Sequence, residues 1–167
     1  MDPSAFPLRA LNRWWRAAIA DQGTAEEVRD DDTGLADGLV LVAIASLVLA
    51  FTQGSGWISY ALAVPVGLAG AAVYGLALAV TTRWVKSQTT WWEATTVISI
   101  TALPLLLAVI PTVGVFIGGI AWLTASILFL RHISYVSMND AALAVLLALA
   151  ITVMLSLGLV FLINAAL

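Results

Sequence analysis

The side chains that could carry out chemistry are few, and their spacing forms no familiar catalytic set. The chain contains no cysteine, which excludes thiolate nucleophiles, disulfides and thiolate metal ligands. Its one histidine, His132, adjoins Arg131 and lies near Tyr135 and Ser137 in the sequence. A catalytic or metal-binding role would need partners that this segment does not supply, so we interpret His132 as a headgroup-level or helix-capping residue.

Acidic side chains are most concentrated at Asp30, Asp31 and Asp32. A run of like charges is usually a solvated face, and we interpret this run in that way rather than as a metal site. The sequence contains no glycine-rich phosphate loop, no pair of catalytic carboxylates and no nucleophile elbow. We therefore expect a protein that is not an enzyme, that binds no cofactor or metal, and that has no nucleic-acid partner.

The composition predicts the elements that must position these side chains. Hydrophobic residues make up 62% of the 167 residues and charged residues only 10%, with a mean hydropathy of +1.02, whereas a soluble domain has about 25% charged residues. Five apolar stretches are long enough to cross a bilayer as helices, because helices satisfy the backbone in lipid. They lie at about residues 35–53, 57–80, 91–110, 112–130 and 140–163. The predicted fold is an all-α, polytopic bundle of five transmembrane helices.

Charge orients this bundle. When the five stretches are taken as spans, all seven basic and ten acidic residues fall on one side. The two loops on the other side, around residues 53–56 and 111–114, carry no charge. By the positive-inside rule the charged side is cytoplasmic. We predict a multi-pass protein of the cell's inner membrane with a cytoplasmic N-terminus and a C-terminus on the opposite side. The tight turn at Pro111 also allows spans three and four to form a re-entrant hairpin.

Two parts make up the predicted organisation, a cytoplasmic segment at residues 1–36 and a membrane domain at residues 37–167. An amphipathic helix is expected at about residues 8–20, followed by an acidic connector at residues 21–37. The helix places Leu8, Leu11, Trp15, Ala18 and Ile19 on one face. We expect Arg9, Arg13, Trp15 and Arg16 at the membrane surface, where arginines meet anionic headgroups. Packing of the helix on the cytoplasmic ends of the bundle is the alternative.

Small residues and prolines shape the predicted spans. Gly67, Gly70 and Gly75 form a close-packing face in span two, and Gly114 with Gly118 forms a GxxxG motif in span four. These glycines serve either internal packing or an interface with a partner. Pro65 and Pro104 are predicted to kink their helices, since proline frees a backbone carbonyl.

The second half of the chain resembles the Yip1-domain family. The stretch Ala102-Leu103-Pro104-Leu105-Leu106-Leu107, the turn at Pro111, Trp122 in the next span, and Leu130-Arg131-His132 leading to Ser137 are similar to that family's second half. The resemblance implies a five-helix membrane bundle over about residues 35–165. Eukaryotic members are associated with vesicle trafficking and prenylated Rab GTPases, but this chain lacks their DLYGP and GYG-type motifs. It looks more like a bacterial member.

Three hypotheses for function follow from these features. The first is a non-enzymatic scaffold or accessory subunit that packs against membrane lipids and against another membrane protein or a second copy of itself. The second is a passive permease or lipid-handling protein that uses the bends at Pro65 and Pro104. The third is a membrane enzyme, which would depend on His132.

Overall fold

The computed structural model describes residues 6–31, 33–52, 56–87, 89–110 and 112–166. Within these ranges the protein has helices and no strands, so the all-α prediction is confirmed. The helices are α1 (Phe6–Ala18), α2 (Gln22–Asp30), α3 (Thr33–Thr52), α4 (Trp57–Trp84), α5 (Trp91–Ile100), a 3₁₀ helix (Leu103–Val109), α6 (Val113–Ser134) and α7 (Met138–Ala166). The predicted turns at residues 53–55 and at Pro111 lie outside the described residues.

Four of these helices, α3, α4, α6 and α7, are long and apolar enough to cross a membrane. A fifth span results only if α5 and the 3₁₀ helix, which meet at an angle of 42°, are counted together. The molecule is therefore a helical membrane protein with four or five spans.

The break in the third apolar stretch differs from the kink predicted at Pro104. Helix α5 has already ended at Ile100, and Pro104 lies in the first turn of the 3₁₀ helix. A proline has no N–H to bond the carbonyl four residues earlier, and it disfavours helical geometry in the residue before it. At the end of α5, the hydroxyl of Thr101 donates to the carbonyl of Val97, at 2.7 Å. Helix α4, by contrast, continues without interruption through Pro65.

The tightly packed core lies toward one end of the bundle. We call it the charged end, because α1, α2 and the segments at residues 85–87, 89–90 and 135–137 lie there; the opposite end is the uncharged end. Tyr74, Leu78, Phe129, Leu130 and Val145 are buried together in this core. Toward the uncharged end, α4 has no buried side chain between residues 57 and 70. The helices are thus held together mainly through their charged-end halves.

Close helix approaches depend on glycine. A Cβ added at Gly75 would lie 2.1 Å from the Oγ1 of Thr95, and one at Gly67 would lie 1.8 Å from the Oγ of Ser46. These glycines therefore bring α4 against α5 and α3. At Gly38, which the sequence analysis did not single out, an added Cβ would lie 2.9 Å from the backbone nitrogen of Ile100. Helix α3 consequently packs backbone to backbone on α5.

Helix α6 uses two glycines to pack on the 3₁₀ helix. An added Cβ at Gly114 would lie 1.8 Å from the carbonyl oxygen of Leu107, and one at Gly118 would lie 2.5 Å from that of Pro104. Gly70 differs from the other four predicted packing glycines, because no atom lies within 4 Å of an added Cβ. Four of the five glycines thus sit at contacts inside the chain, and Gly70 borders open space.

Candidate functional site: a buried ion cluster and an apolar cavity

The N-terminal segment is fastened to the bundle by Arg13. This side chain is only 4% exposed, and it donates to Glu27 at 2.8 Å, to Asp37 at 2.9 Å and to the hydroxyl of Thr33 at 2.8 Å. It also forms an ion pair with Asp31. One guanidinium therefore joins α1 to α2, to the α2–α3 junction and to α3.

Asp37 is the partner of Arg13 within the apolar helix α3, and it is 0% exposed. Arg9 also approaches it, at 3.5 Å, and the indole of Trp14 donates to its backbone carbonyl at 2.9 Å. A carboxylate buried at the start of a membrane span is costly unless it is paired. The cluster of Arg9, Arg13 and Asp37 supplies that pairing from within the chain.

Hydrogen bonds shift the pKa values of Arg13 and Asp31. Burial alone would lower the pKa of Arg13, but its bonds to Asp31, Glu27 and Asp37 outweigh burial and raise that pKa above its ordinary value. The bond from Arg13, followed by the backbone N–H of Thr33, lowers the pKa of Asp31 to about 2. Arg13 and Asp31 therefore both stay charged through the neutral range, and their ion pair persists there.

Arg13, which was predicted at the membrane surface, is buried within the chain. The amphipathic pattern correctly separated the charged side of the helix from the apolar side, but it could not show that Asp31, Glu27 and Asp37 would gather on the charged side. Arg16 is partly exposed and pairs with Asp21 at 2.7 Å, and Arg9 is one-third exposed beside Asp37. Trp15 is 62% exposed. The membrane-surface set is thus divided between a buried residue, two partly exposed arginines and an exposed indole.

Helix α1 turns its apolar side outward. Leu8, Leu11, Trp15 and, just beyond the helix, Ile19 are exposed and recur at helical spacing, whereas Ala10, Arg13 and Ala17 are buried against the rest of the chain. We call the exposed set the α1 stripe. A helix in water buries its apolar face, so the outward α1 stripe suits a helix that lies against lipid.

The segment predicted as an acidic connector is largely helical. Asp21 caps α2 by accepting from the backbone N–H of Thr24, at 2.8 Å. Thr24, Ala25 and Val28 are buried, the last two within the main core. Asp32 and the side chain of Asp30 lie outside the described residues. The segment packs on the bundle rather than forming a fully solvated linker.

A cavity of about 250 Å³ lies between the spans. Helices α3 to α7 and the 3₁₀ helix all contribute to its wall, with Ala45, Gly70, Tyr74, Ile98 and Trp122 among the lining residues. Among the residues that the structure describes, no charged side chain lines it. The rings of Tyr74 and Trp122 meet edge to face, with centroids 5.5 Å apart.

The polar groups on the cavity wall already have partners. The hydroxyl of Tyr74 donates to the carbonyl of Val145 at 3.2 Å, and the indole of Trp122 donates to that of Ile98 at 3.1 Å. Ser46 and Thr152 each return their hydroxyl to the carbonyl four residues earlier, at 2.8 Å. The wall is therefore apolar in effect, although four polar side chains reach it.

Helix α7 leaves the bundle as it approaches the uncharged end. Ala141, Ala144, Val145 and Ala148 are fully buried against the other helices. Between residues 153 and 162, in contrast, every side chain whose burial is described is exposed. This segment, which we call the free half of α7, is almost entirely apolar, and its described side chains are exposed around the helix.

The structure does not surround His132 with catalytic partners in the part of the chain that it describes. His132 is partly buried near the end of α6, and no group of three or more His, Cys, Asp or Glu side chains there could hold a metal ion. Sequence reasoning missed the pairing of Asp37 with Arg13 and the close contact at Gly38. The position of Asp37 alone within an apolar run could have indicated its pairing with Arg13. No sequence pattern indicates the contact at Gly38.

No protein-family model, no curated protein and no solved structure matches this chain. The resemblance to the Yip1-domain family thus stays a prediction.

Proposed function

We propose that this chain is a non-enzymatic integral membrane protein that acts as a scaffold or accessory subunit. The observation that carries the proposal is the free half of α7. Helix α7 has 29 residues, so it is roughly 43 Å long, and every side chain from residue 153 to 162 whose burial is described is exposed. A helix with an apolar surface on all sides suits contact with lipid or with the helices of a partner.

The rest of the uncharged end supports the same proposal. Helix α4 exposes Trp57, Ile58, Leu62 and Val66 there, and the first turns of α6 bury only glycines, Gly114 and Gly118. At this end the chain thus offers two lightly packed apolar helices, α4 and α7, and the exposed outer face of α6, whose glycine face is held by the 3₁₀ helix. We infer that the transmembrane helices of another membrane protein, or of a second copy, complete the packing at this end.

We further propose the orientation and the number of spans. The positive-inside rule places the charged end in the cytoplasm, in the cell's inner membrane. Taken together, α5 and the 3₁₀ helix rise roughly 29 Å, close to the ~30 Å of a bilayer's hydrocarbon core. One bent span is therefore the preferred interpretation, giving five spans with the N-terminus inside, as the Yip1-domain resemblance implies.

Lipid handling is the second candidate, and the apolar cavity favours it. A permease for polar solutes is disfavoured, because the hydroxyl and indole groups on the cavity wall are already bonded to helix carbonyls. Only an apolar molecule would find a suitable surface there.

Photo-crosslinking in native membranes tests the scaffold proposal. A photoreactive amino acid at Leu157 lies in the free half of α7, and the same amino acid at Leu146 lies on an exposed face of the packed half. We expect a discrete protein adduct from Leu157 and none from Leu146, with the adduct mass separating a different partner from a second copy. Recovery of only uncrosslinked chain and lipid adducts at Leu157 would overturn the proposal.

A further inference from the structure

The cavity between the spans continues toward the lipid. A second cavity of about 420 Å³ lies between α3 and α4, and it shares Ser46, Leu49 and Gly67 with the first. Its remaining wall includes Leu62 and Val66, which are exposed on the surface of α4. The two cavities therefore adjoin each other, one inside the bundle and one at its lipid-facing side.

Two glycines line these cavities, and they act differently. Gly70 lines the inner cavity, and the space where its Cβ would lie is empty to 4 Å. Gly67 lies at the junction of the two cavities and lets α4 approach Ser46 of α3. Larger side chains at these positions would fill the space or separate the helices.

Water is a poor occupant of the inner cavity. A buried water needs two to four polar partners, whereas an apolar cavity stays dry and can bind an apolar molecule. The hydrogens of Ser46, Tyr74, Trp122 and Thr152 are donated to backbone carbonyls. The wall of the inner cavity therefore suits a hydrocarbon ligand.

The volume of the cavity and the lack of charge on its described wall limit the kinds of ligand that it could bind. A volume of about 250 Å³ exceeds the ~150 Å³ of an engineered cavity that binds benzene and falls short of the roughly 300–1,000 Å³ of pockets for whole drug-sized ligands. With no charged residue on its wall, the cavity offers nothing to a headgroup. A length of chain fits, with its polar end left outside the bundle.

We propose that this cavity binds one hydrocarbon chain of a membrane lipid, which enters between α3 and α4. The site is independent of the scaffold proposal, because it lies inside the bundle and the free half of α7 contributes no wall residue. The absence of a protein adduct at Leu157 would therefore count against the scaffold proposal alone. The absence of a lipid chain from the cavity would count against the lipid site alone.

Photoreactive lipids test the site in the purified full-length chain in nanodiscs. The first probe is a phosphatidylcholine with a diazirine in one acyl chain, and the second is a free fatty acid with the same group. Ile98 and Ala102 are buried and line the cavity, so adducts there report a chain inside the bundle. Leu76, exposed on the surface of α4, is the reference for ordinary contact with lipid. Adducts from the first probe identify a phospholipid chain, and adducts only from the second identify a free fatty acid.

Gly70→Leu is designed to fill the cavity, and Gly119→Leu is the matched control. Gly119 also has no atom within 4 Å of an added Cβ, but it lies in α6 and lines neither cavity. We expect Gly70→Leu to reduce adducts at Ile98 and Ala102 about tenfold, a loss of roughly 1.4 kcal/mol in binding, with Leu76 unchanged. Gly119→Leu should leave all adducts unchanged.

Two results would overturn the proposal. One is labelling of Leu76 without any adduct at Ile98 or Ala102 in the wild-type chain. The other is a Gly70→Leu variant that folds and still gives wild-type adducts at these two residues. If Gly70→Leu does not fold, the wild-type map alone decides.

Discussion

Arg13 illustrates how one side chain can fix the position of a whole segment. Its contacts with Glu27, Asp31 and Asp37 join three parts of the chain, and Asp37 has no exposure to solvent. Removing one partner of a buried ion pair leaves an uncompensated charge. The stability of the N-terminal segment should therefore depend on Arg13 far more than on its neighbours.

We expect Arg13→Gln to lower the free energy of unfolding by about 3–5 kcal/mol, the usual cost of breaking a buried pair. Arg16→Gln is the control, because Arg16 is partly exposed and surface pairs contribute about 0–1 kcal/mol. Chemical unfolding in mild detergent measures both variants. Equal losses from the two substitutions would show that Arg13 is not the main ionic contact.

Acid should weaken the same contact. The pKa of Asp31 is lowered from 3.8 to about 2, so its stabilising charge is fully present above pH 3.8 and is lost as the pH falls through about 2. We expect the unfolding temperature in detergent to fall over this interval, and Asp31→Asn to make the fall shallower. Glu26 is an exposed carboxylate that accepts from Gln22. We expect Glu26→Gln to leave the dependence of the unfolding temperature on pH unchanged.

At the scale of the single helix, close packing against a neighbour depends on small residues at the point of contact. Gly114 and Gly119 lie in the same helix, but only Gly114 meets backbone, the carbonyl of Leu107. The helix thus provides its own comparison between a glycine that is needed for packing and one that is not.

We expect Gly114→Ala to destabilise the protein by about 1–3 kcal/mol, because overpacking moves the 3₁₀ helix away from α6. Gly119→Ala should be neutral or stabilising by up to about 1 kcal/mol, since alanine favours a helix. Unfolding in detergent measures both. A neutral Gly114→Ala would mean that the two helices separate at little cost.

The exposed apolar face of helix α1 predicts that this helix lies against lipid. Because the chain has no cysteine, a spin label at Leu11→Cys reports the α1 stripe and one at Glu26→Cys reports the exposed face of α2. We expect the label at residue 11 to collide more with oxygen, which concentrates in lipid, and the label at residue 26 to collide more with an aqueous nickel complex. Equal access of the nickel complex to both would place the α1 stripe in water.

At the scale of the whole molecule, charge and packing are both unevenly distributed. The ion cluster and the tightly packed core lie toward the charged end, whereas the uncharged end presents lightly packed apolar helices. The charged end suits a fixed base, and the uncharged end suits the exchange of lipid or protein neighbours.

Labelling of intact cells tests the orientation. Gly56→Cys is at the uncharged end and Lys86→Cys at the charged end. We expect a membrane-impermeant maleimide to label residue 56 from outside, and residue 86 only after permeabilisation, because positive loops stay in the cytoplasm. The reverse pattern would invert the proposed topology.

The sequence by itself determined that this protein is helical and that its long apolar helices belong in lipid. Long apolar runs must form helices in lipid, and that constraint is local to each run. Its patterns also separated the two faces of α1 and marked Gly67, Gly75, Gly114 and Gly118 as small-residue positions.

Only the tertiary structure decided which groups meet. Arg13 turns inward because carboxylates from α2 and α3 converge on it, and Gly70 borders a cavity while Gly75 touches Thr95. The third apolar stretch breaks before Pro104 rather than at it. Residues far apart in the chain create these contacts, and helical periodicity describes only the face of one helix, not what lies opposite.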